Sequence, residues 1–294
     1  MPETEPLFPQ TPLFRAQQSD RYMRQEAIRR IEKLTGRSLL VYESSPWKRG
    51  AEINVGDIQP FGDLLQRIPS GAKVDLMLNS LGGDIDAAEK VIYMCRKVAS
   101  EFRVVVPEHA KSAATLIALA SDRVLMGFAS ELGPIDAQLA GPGPGGAVFQ
   151  TSARSFLDKF DEIKKEVERT GQLSPAYYPL LEGLNLGFIR MCETLMERSE
   201  KFARKWLSKH MLKGDAAKAA KIAKKLCDVK KWLTHGMVID ADEAERLGIK
   251  VERIERDNPL WQEVWYLHCC YGVVFRSTNI AKVFESPIVS LAFE

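Results

Sequence analysis

The sequence has no unbroken apolar stretch approaching the roughly 20 residues that a bilayer-spanning helix needs, so no membrane span is expected. It has almost no net charge, since 41 basic residues against 39 acidic ones leave +2. That balance argues against nucleic acid or an anionic membrane as the main partner. Cysteine is scarce and scattered. The five, Cys95, Cys192, Cys227 and the adjacent Cys269 and Cys270, show no CxxC spacing, which supports neither a disulfide framework nor a zinc site. Histidine is scarcer still, with His109, His210, His235 and His268 only. No two of them flank a glutamate at i, i+4, so a metalloprotease helix is absent. The polar, proline-rich start from Met1 to Gln18 lacks the apolar core of a signal or transit peptide. These absences point to a cytoplasmic protein that needs no metal.

What is present is a chain of 294 residues, 45% apolar and 27% charged, enough for one large α/β domain with extensions. Helical spacing of apolar residues runs from Ser19 to Leu34, and an apolar strand follows over Ser38 to Glu43. Gly56 to Ile68 reads as a helix. The centre then alternates, with strands at Val74 to Leu78, Arg103 to Val106 and Arg123 to Met126, and helices at Asp84 to Ser100 and Ser112 to Ser121. Such alternation implies a mostly parallel sheet with right-handed crossovers. Ala140 to Gly146 is a breaker-rich loop. Helices are expected beyond it from Ser152 to Arg169, Asn185 to Leu212 and Asp215 to Cys227. An acidic cap at Asp240 opens a further helix that Gly248 closes, and Ile249 to Val251 returns to the sheet. The division expected is an N-terminal extension over 1–50, a catalytic domain over 51–255 and an aromatic C-terminal extension over 256–294.

Two short motifs carry the chemistry. Asn79-Ser80-Leu81-Gly82-Gly83 follows a buried strand, and its glycines let a carbonyl approach bare backbone amides. Lys111-Ser112-Ala113-Ala114-Thr115 puts one hydroxyl at the start of a helix, beside the Ala113 amide. Taken singly, the first is an ordinary glycine turn and the second an ordinary N-cap. In this order they describe an oxyanion hole facing a serine nucleophile, the minimum equipment for cutting an acyl bond.

The segments LMLNSLGGDIDAAEKVIYMC, AKSAATLIALASDRVLMGFASELGPIDAQL and WLTHGMVIDADEAERLGIKV resemble the Clp-fold serine peptidases. Their pattern is most similar to the serine dehydrogenase proteinase family, and TPLFRAQQSDRYMRQEAIRRIEKLTGRSLLVY also fits it. The proteolytic subunit of Clp, signal peptide peptidase A and the crotonases are more distant. The resemblance covers roughly residues 11 to 255. It implies a Clp/crotonase-like α/β fold with helical insertions and Ser112 as nucleophile. It also implies an oxyanion hole from the amides of Gly82 or Gly83 and Ala113, a peptide or unfolded-protein substrate, a homo-oligomer, and no cofactor.

A serine hydroxyl needs a base, and the pattern breaks here. Where the Clp proteolytic subunit carries a histidine after the third strand, this chain reads Ser130-Glu131-Leu132-Gly133-Pro134-Ile135-Asp136. Two substitutes stand open. Lysine-dependent relatives place a lysine downstream of the serine, and Lys159, Lys164 and Lys165 fall in that window, with Lys159 nearest the apolar start of its helix. A lysine serves only if burial or a neighbouring cation lowers its pKa. The other substitute is His235, in a segment that passes near the site in the Clp subunit, with Asp136 as a possible orienting partner. Lys111 is expected to point away, and His109 to be non-catalytic. Two other readings are a crotonase-like acyl-CoA enzyme, using the same amides on a thioester enolate, and an inactive Clp-fold scaffold.

Overall fold

The computed structural model describes residues 11–142, 148–181 and 186–294. Helix α1 (Pro12–Gln17) leads into α2 (Ser19–Thr35), which Gly36 ends in the left-handed conformation at φ 66°. Strand β1 (Ser38–Ser44), helix α3 (Ile58–Gln66), strand β2 (Lys73–Asn79), helix α4 (Ile85–Val98) and strand β3 (Glu101–Val106) follow. The centre continues through β4 (His109–Ala110), α5 (Ala113–Leu119), β5 (Arg123–Met126) and β6 (Glu131–Leu132). A hairpin of β7 (Gln138–Pro142) and β8 (Val148–Ser152) opens the helical region. That region holds α6 (Ala153–Thr170), α7 (Tyr178–Leu181), α8 (Leu186–Trp206) and α9 (Ala216–Leu226). The chain closes with α10 (Ala241–Leu247), β9 (Val251–Arg253), α11 (Pro259–Ser277), β10 (Lys282–Glu285) and β11 (Ser290–Phe293).

The main sheet has the order β11-β10-β1-β2-β3-β5-β9. From β1 to β9 every pairing is parallel, while β10 and β11 join antiparallel at one edge. The expected α/β fold with a mostly parallel sheet is therefore present. Its strands are apolar on both faces, as sheets covered on both sides require. Leu40, Tyr42, Leu76, Leu78, Val104 and Val106 share a core with α3, α4, α5 and α9. The alternate residues Leu39, Val41, Met77 and Val105 pack against α2 and α11.

The structure adds four points to the sequence expectations. The segments expected as terminal extensions supply β1, β10 and β11 of the main sheet. The aromatic tail contains a 19-residue helix, α11, lying on the sheet face beside α2. The stretch read as a breaker-rich loop is flanked by paired strands, with residues 143–147 outside the described residues. The helix expected from Asn185 to Leu212 is α-helical to Trp206, then makes one π-turn over Leu207–Met211; Asn185 itself is outside the described residues. Among the described residues no helix is long and apolar enough to cross a membrane.

Charged pairs are buried between these layers. Asp75 on β2 lies between Arg37 and Arg103, accepting from Arg103 Nε at 3.1 Å and Nη2 at 2.6 Å. On α11, His268 contacts Glu43 of β1 at 3.0 Å and Glu108 at 3.2 Å. Burial works against its charge, but the two carboxylates prevail and push its pKa up to about 10.

Removing one member of a buried charge cluster strands the rest. Asp75→Ala removes the carboxylate that two guanidinium groups share, leaving Arg37 with Glu101 and Arg103 with Glu252, and is expected to cost about 3 kcal/mol, the low end for a broken buried pair; a change in urea-unfolding stability below about 1 kcal/mol would contradict this. His268 gains affinity for its proton on folding. Its contribution is therefore present in full below its ordinary value of 6.5 and is lost as pH rises through about 10. The stability difference between the natural chain and His268→Gln should shrink over that interval in pH-dependent unfolding, and a difference that grows with pH would refute the assignment.

Candidate active site

The parallel pairing of β2 and β3 continues past the strand ends and brings the two motifs together. Ser80 N–H donates to His109 O at 2.8 Å, and Lys111 N–H donates to Ser80 O at 3.0 Å. Gly82 then turns at φ 104° and Gly83 at φ 148°, in the region that side chains rarely adopt. A Cβ on Gly82 would lie 2.7 Å from Ser112 Cβ and 3.0 Å from Ala113 N, so the absent side chain is what allows the contact. Gly83 is pressed on Ile53 in the same way, where a Cβ would lie 2.3 Å from the Ile53 carbonyl oxygen.

Ser112 stands between β4 and α5 with φ 51° and ψ −117°. Among the described residues, Lys213 is the only other non-glycine residue with positive φ. Such a conformation costs about 1–3 kcal/mol and persists where packing imposes it, often at functional sites. The Ser112 side chain makes no capping hydrogen bond, so the ordinary N-cap reading does not account for the serine.

The sequence expectation left open whether Gly82 or Gly83 offers an amide beside that of Ala113. Gly82 N–H donates to Ser80 Oγ at 3.2 Å and is not free. Among the described residues the amides of Gly83 and Ala113 have no partner. Both residues border, with Ser112, a cavity of about 280 Å3 walled by Ile85, Leu116, Ile135 and Asp136. Gly82 thus supplies room, while Gly83 and Ala113 supply donors.

The two candidate bases part company. His235 Nδ1 lies 2.7 Å from Asp136 Oδ1, and Gln138 Nε2 donates to Asp136 Oδ2 at 2.6 Å. Asp136 is buried and borders both the Ser112 cavity and an adjoining one of about 370 Å3 that includes His235. Lys159 lies elsewhere. It is exposed on α6, its Nζ donates to Glu162 at 2.8 Å, and it borders neither cavity. The Glu162 hydrogen bond raises its pKa, opposite to what a lysine base needs. The expectation for Lys159 is corrected accordingly. The i, i+3 pairing with Glu162 was visible in the sequence as the mark of a solvated helix face.

Sequence reasoning did not foresee what Lys111 reaches and gave Gln138 no part. Lys111 is buried and reaches Glu131 and the segment after His235, and Gln138 holds the second oxygen of Asp136. Local pattern contains no signal for either contact. His109 pairs with Glu131 at 2.7 Å. Among the described residues there is no cluster of three or more histidine, cysteine or acidic side chains able to hold a metal.

Residues 53–164 match the family described as ClpP-like SDH-type serine proteinase. The resemblance read from the motifs is thus matched over the segment that contains the glycine pair, Ser112 and Asp136. A protein of Methanocaldococcus jannaschii, MJ0137, is 25% identical over 80% of this chain and 71% of its own length. A second from the same organism, MJ1495, is 25% identical over 76% of this chain and 64% of its own length. A mutant of ClpP1 from Listeria monocytogenes superposes with a TM-score of 0.39 at 13% identity, covering 78% of this chain and 98% of that one.

The Gly82–Ser112 contact is testable without a known substrate. Gly82→Ala places a methyl group where 2.7 Å separates it from Ser112 Cβ. Labelling of Ser112 by a fluorophosphonate is expected to slow by on the order of a hundredfold, since displacement of about 1 Å costs that much. Mass spectrometry of the adduct measures it, with circular dichroism to confirm the fold; an undiminished labelling rate would mean that the contact does not set the serine.

Proposed function

We propose that this chain is a serine endopeptidase that cleaves peptides or unfolded protein segments through an acyl-enzyme at Ser112. The observation that carries the reading is the strained, uncapped Ser112 held against Gly82 and beside two free amides. A serine used only to begin α5 would have no reason to adopt that conformation. The family matched over residues 53–164 is one of serine proteinases, which supports the same chemistry.

In this reading Ser112 Oγ attacks the scissile carbonyl while His235 takes its proton. Asp136, hydrogen-bonded to Nδ1, holds the imidazole so that Nε2 is the basic nitrogen. The amides of Gly83 and Ala113 receive the oxyanion, and each such donor contributes on the order of two to three decades in rate. His235 then protonates the leaving amine, and a water molecule admitted to the same base releases the acyl group from Ser112. His235 comes from the segment before α10 and Asp136 from the segment after β6. The working form is a homo-oligomer in the cytoplasm. Exposed Phe128, Tyr266 and Val273 support an assembly, because they leave apolar surface uncovered on one copy.

A crotonase-like acyl-CoA enzyme would use the same amides but leave the Ser112 hydroxyl idle, so one experiment separates the readings. The purified chain is treated with a fluorophosphonate and assayed on an unstructured protein. Ser112→Ala should lose both labelling and hydrolysis, and His235→Ala should lose on the order of 10^6 in kcat. Lys159→Ala should stay near the natural rate. Hydrolysis by Ser112→Ala at the natural rate, or a His235→Ala variant of full activity, would defeat the assignment.

A further inference from the structure

Lys111 directly precedes Ser112, yet its side chain is buried and turned toward a distant part of the chain. Its Nζ lies 2.9 Å from Glu131 Oε1 and donates to the carbonyl oxygens of Leu132 at 3.2 Å, Gly236 at 3.4 Å and Met237 at 3.2 Å. An ammonium has three N–H donors, so these oxygens saturate it. His109 Nδ1 lies 2.7 Å from the same Glu131 oxygen. Gly133 leaves the room, since a Cβ there would lie 2.6 Å from Lys111 Cδ.

The segment that Lys111 reaches has few other anchors. Leu233, Thr234, Gly236, Met237 and Val238 are exposed and in no regular element. The ends are secured, by Trp232 Nε1 donating to Lys225 O at 2.7 Å and by Ile239 paired with Leu132. Between those ends stand the turn bond from Met237 N–H to Thr234 O, the contact of His235 with Asp136, and the Lys111 ammonium. Among the described residues, Lys111 makes the only bonds from the body of the protein to Gly236 and Met237.

We propose that Lys111 is a positioning residue that sets the distance between Ser112 and His235, resting on their reading as nucleophile and base. Its backbone is part of the serine turn, with N–H on Ser80 O at 3.0 Å and its carbonyl accepting from Ala114 N–H at 2.9 Å. Its side chain holds the two residues that follow His235. One residue therefore fixes both partners of the proton transfer, whose rate falls steeply with misplacement. A charge is needed because one group has to satisfy three carbonyls of two separate segments at once.

Lys111→Met keeps the length and removes the tie. Hydrogen exchange read by mass spectrometry is expected to quicken on the order of tenfold in peptides over 233–238, with the rest of the chain unchanged. On fluorescein-labelled casein, kcat should fall on the order of tenfold to a hundredfold while KM stays within about twofold. A general loss of structure would not give that split. Unchanged exchange over 233–238 overturns the proposal, and so does quickened exchange with an unaltered kcat. If the natural chain itself does not cleave casein, the reading of Ser112 fails, and exchange alone decides whether Lys111 holds the segment. If Lys111→Met does not fold, reductive methylation of the natural chain replaces it. Lys111 should then resist modification while exposed Lys159 reacts, and equal rates would overturn the tie.

Discussion

Ser112 stands where it does because residue 82 has no side chain. The gap that a Cβ would fill is 2.7 Å from Ser112 Cβ, closer than two tetrahedral carbons can approach. Everything else in the candidate site follows from that approach. The bonds between Ser80, His109 and Lys111 zip the loops after β2 and β3 together. Ser112 is left at a positive φ with its hydroxyl unspent, and the free amides of Gly83 and Ala113 face one cavity. The parallel sheet is the scaffold for this, since only neighbouring parallel strands deliver both loops to the same edge.

The parts of the fold legible in the sequence are those with a local signature. Strands β2, β3 and β5 each carry an apolar triplet, Leu76-Met77-Leu78, Val104-Val105-Val106 and Val124-Leu125-Met126, and α4 shows its stripe of Ala87, Ala88, Val91, Ile92 and Cys95 between helix signals. Strand β10 was hidden because it reads Lys-Val-Phe-Glu with all four residues buried. Its charges are tolerated only through Asp57, which receives Lys282 at 2.7 Å, and through Arg24 and Tyr271, which hold Glu285 at 2.8 and 2.6 Å. Asp57 and Arg24 lie 225 and 261 residues from their partners, beyond the reach of any window. The contacts of Lys111 were hidden for the same reason. The error at Lys159 was different, because distance along the chain was weighed above the neighbouring Glu162.

Four ion pairs bridge residues 53–164 and the rest of the chain. Asp75 takes Arg37, Asp57 takes Lys282, Arg103 takes Glu252, and Glu108 takes His268. In each case one partner lies within residues 53–164 and the other outside them. Buried ion pairs are weak contributors to net stability but strong selectors of geometry, since a misplaced partner leaves a bare charge. They join the segment with the family pattern to the helices and strands wrapped around it. The cost of desolvation at each junction is offset only when the outer element docks in register.

The candidate site repeats the division. Ser112, Gly82, Gly83, Ala113 and Asp136 all lie within 53–164, whereas His235 and the carbonyls of Gly236 and Met237 that Lys111 reaches lie outside. The family match therefore bears on the serine and its amides, and the base rests on geometry alone. This explains why the candidate nucleophile was readable from two short motifs while two residues, Lys159 and His235, stood open as its base. A strand-turn-helix motif is fixed by neighbours in sequence, and a glycine pair has few other uses so close to a serine. A base has only to arrive at the right place, and a chain can bring it there from any segment. In the proposed reading that arrival rests on two contacts across the fold, Asp136 with His235 and Lys111 with the residues just beyond it.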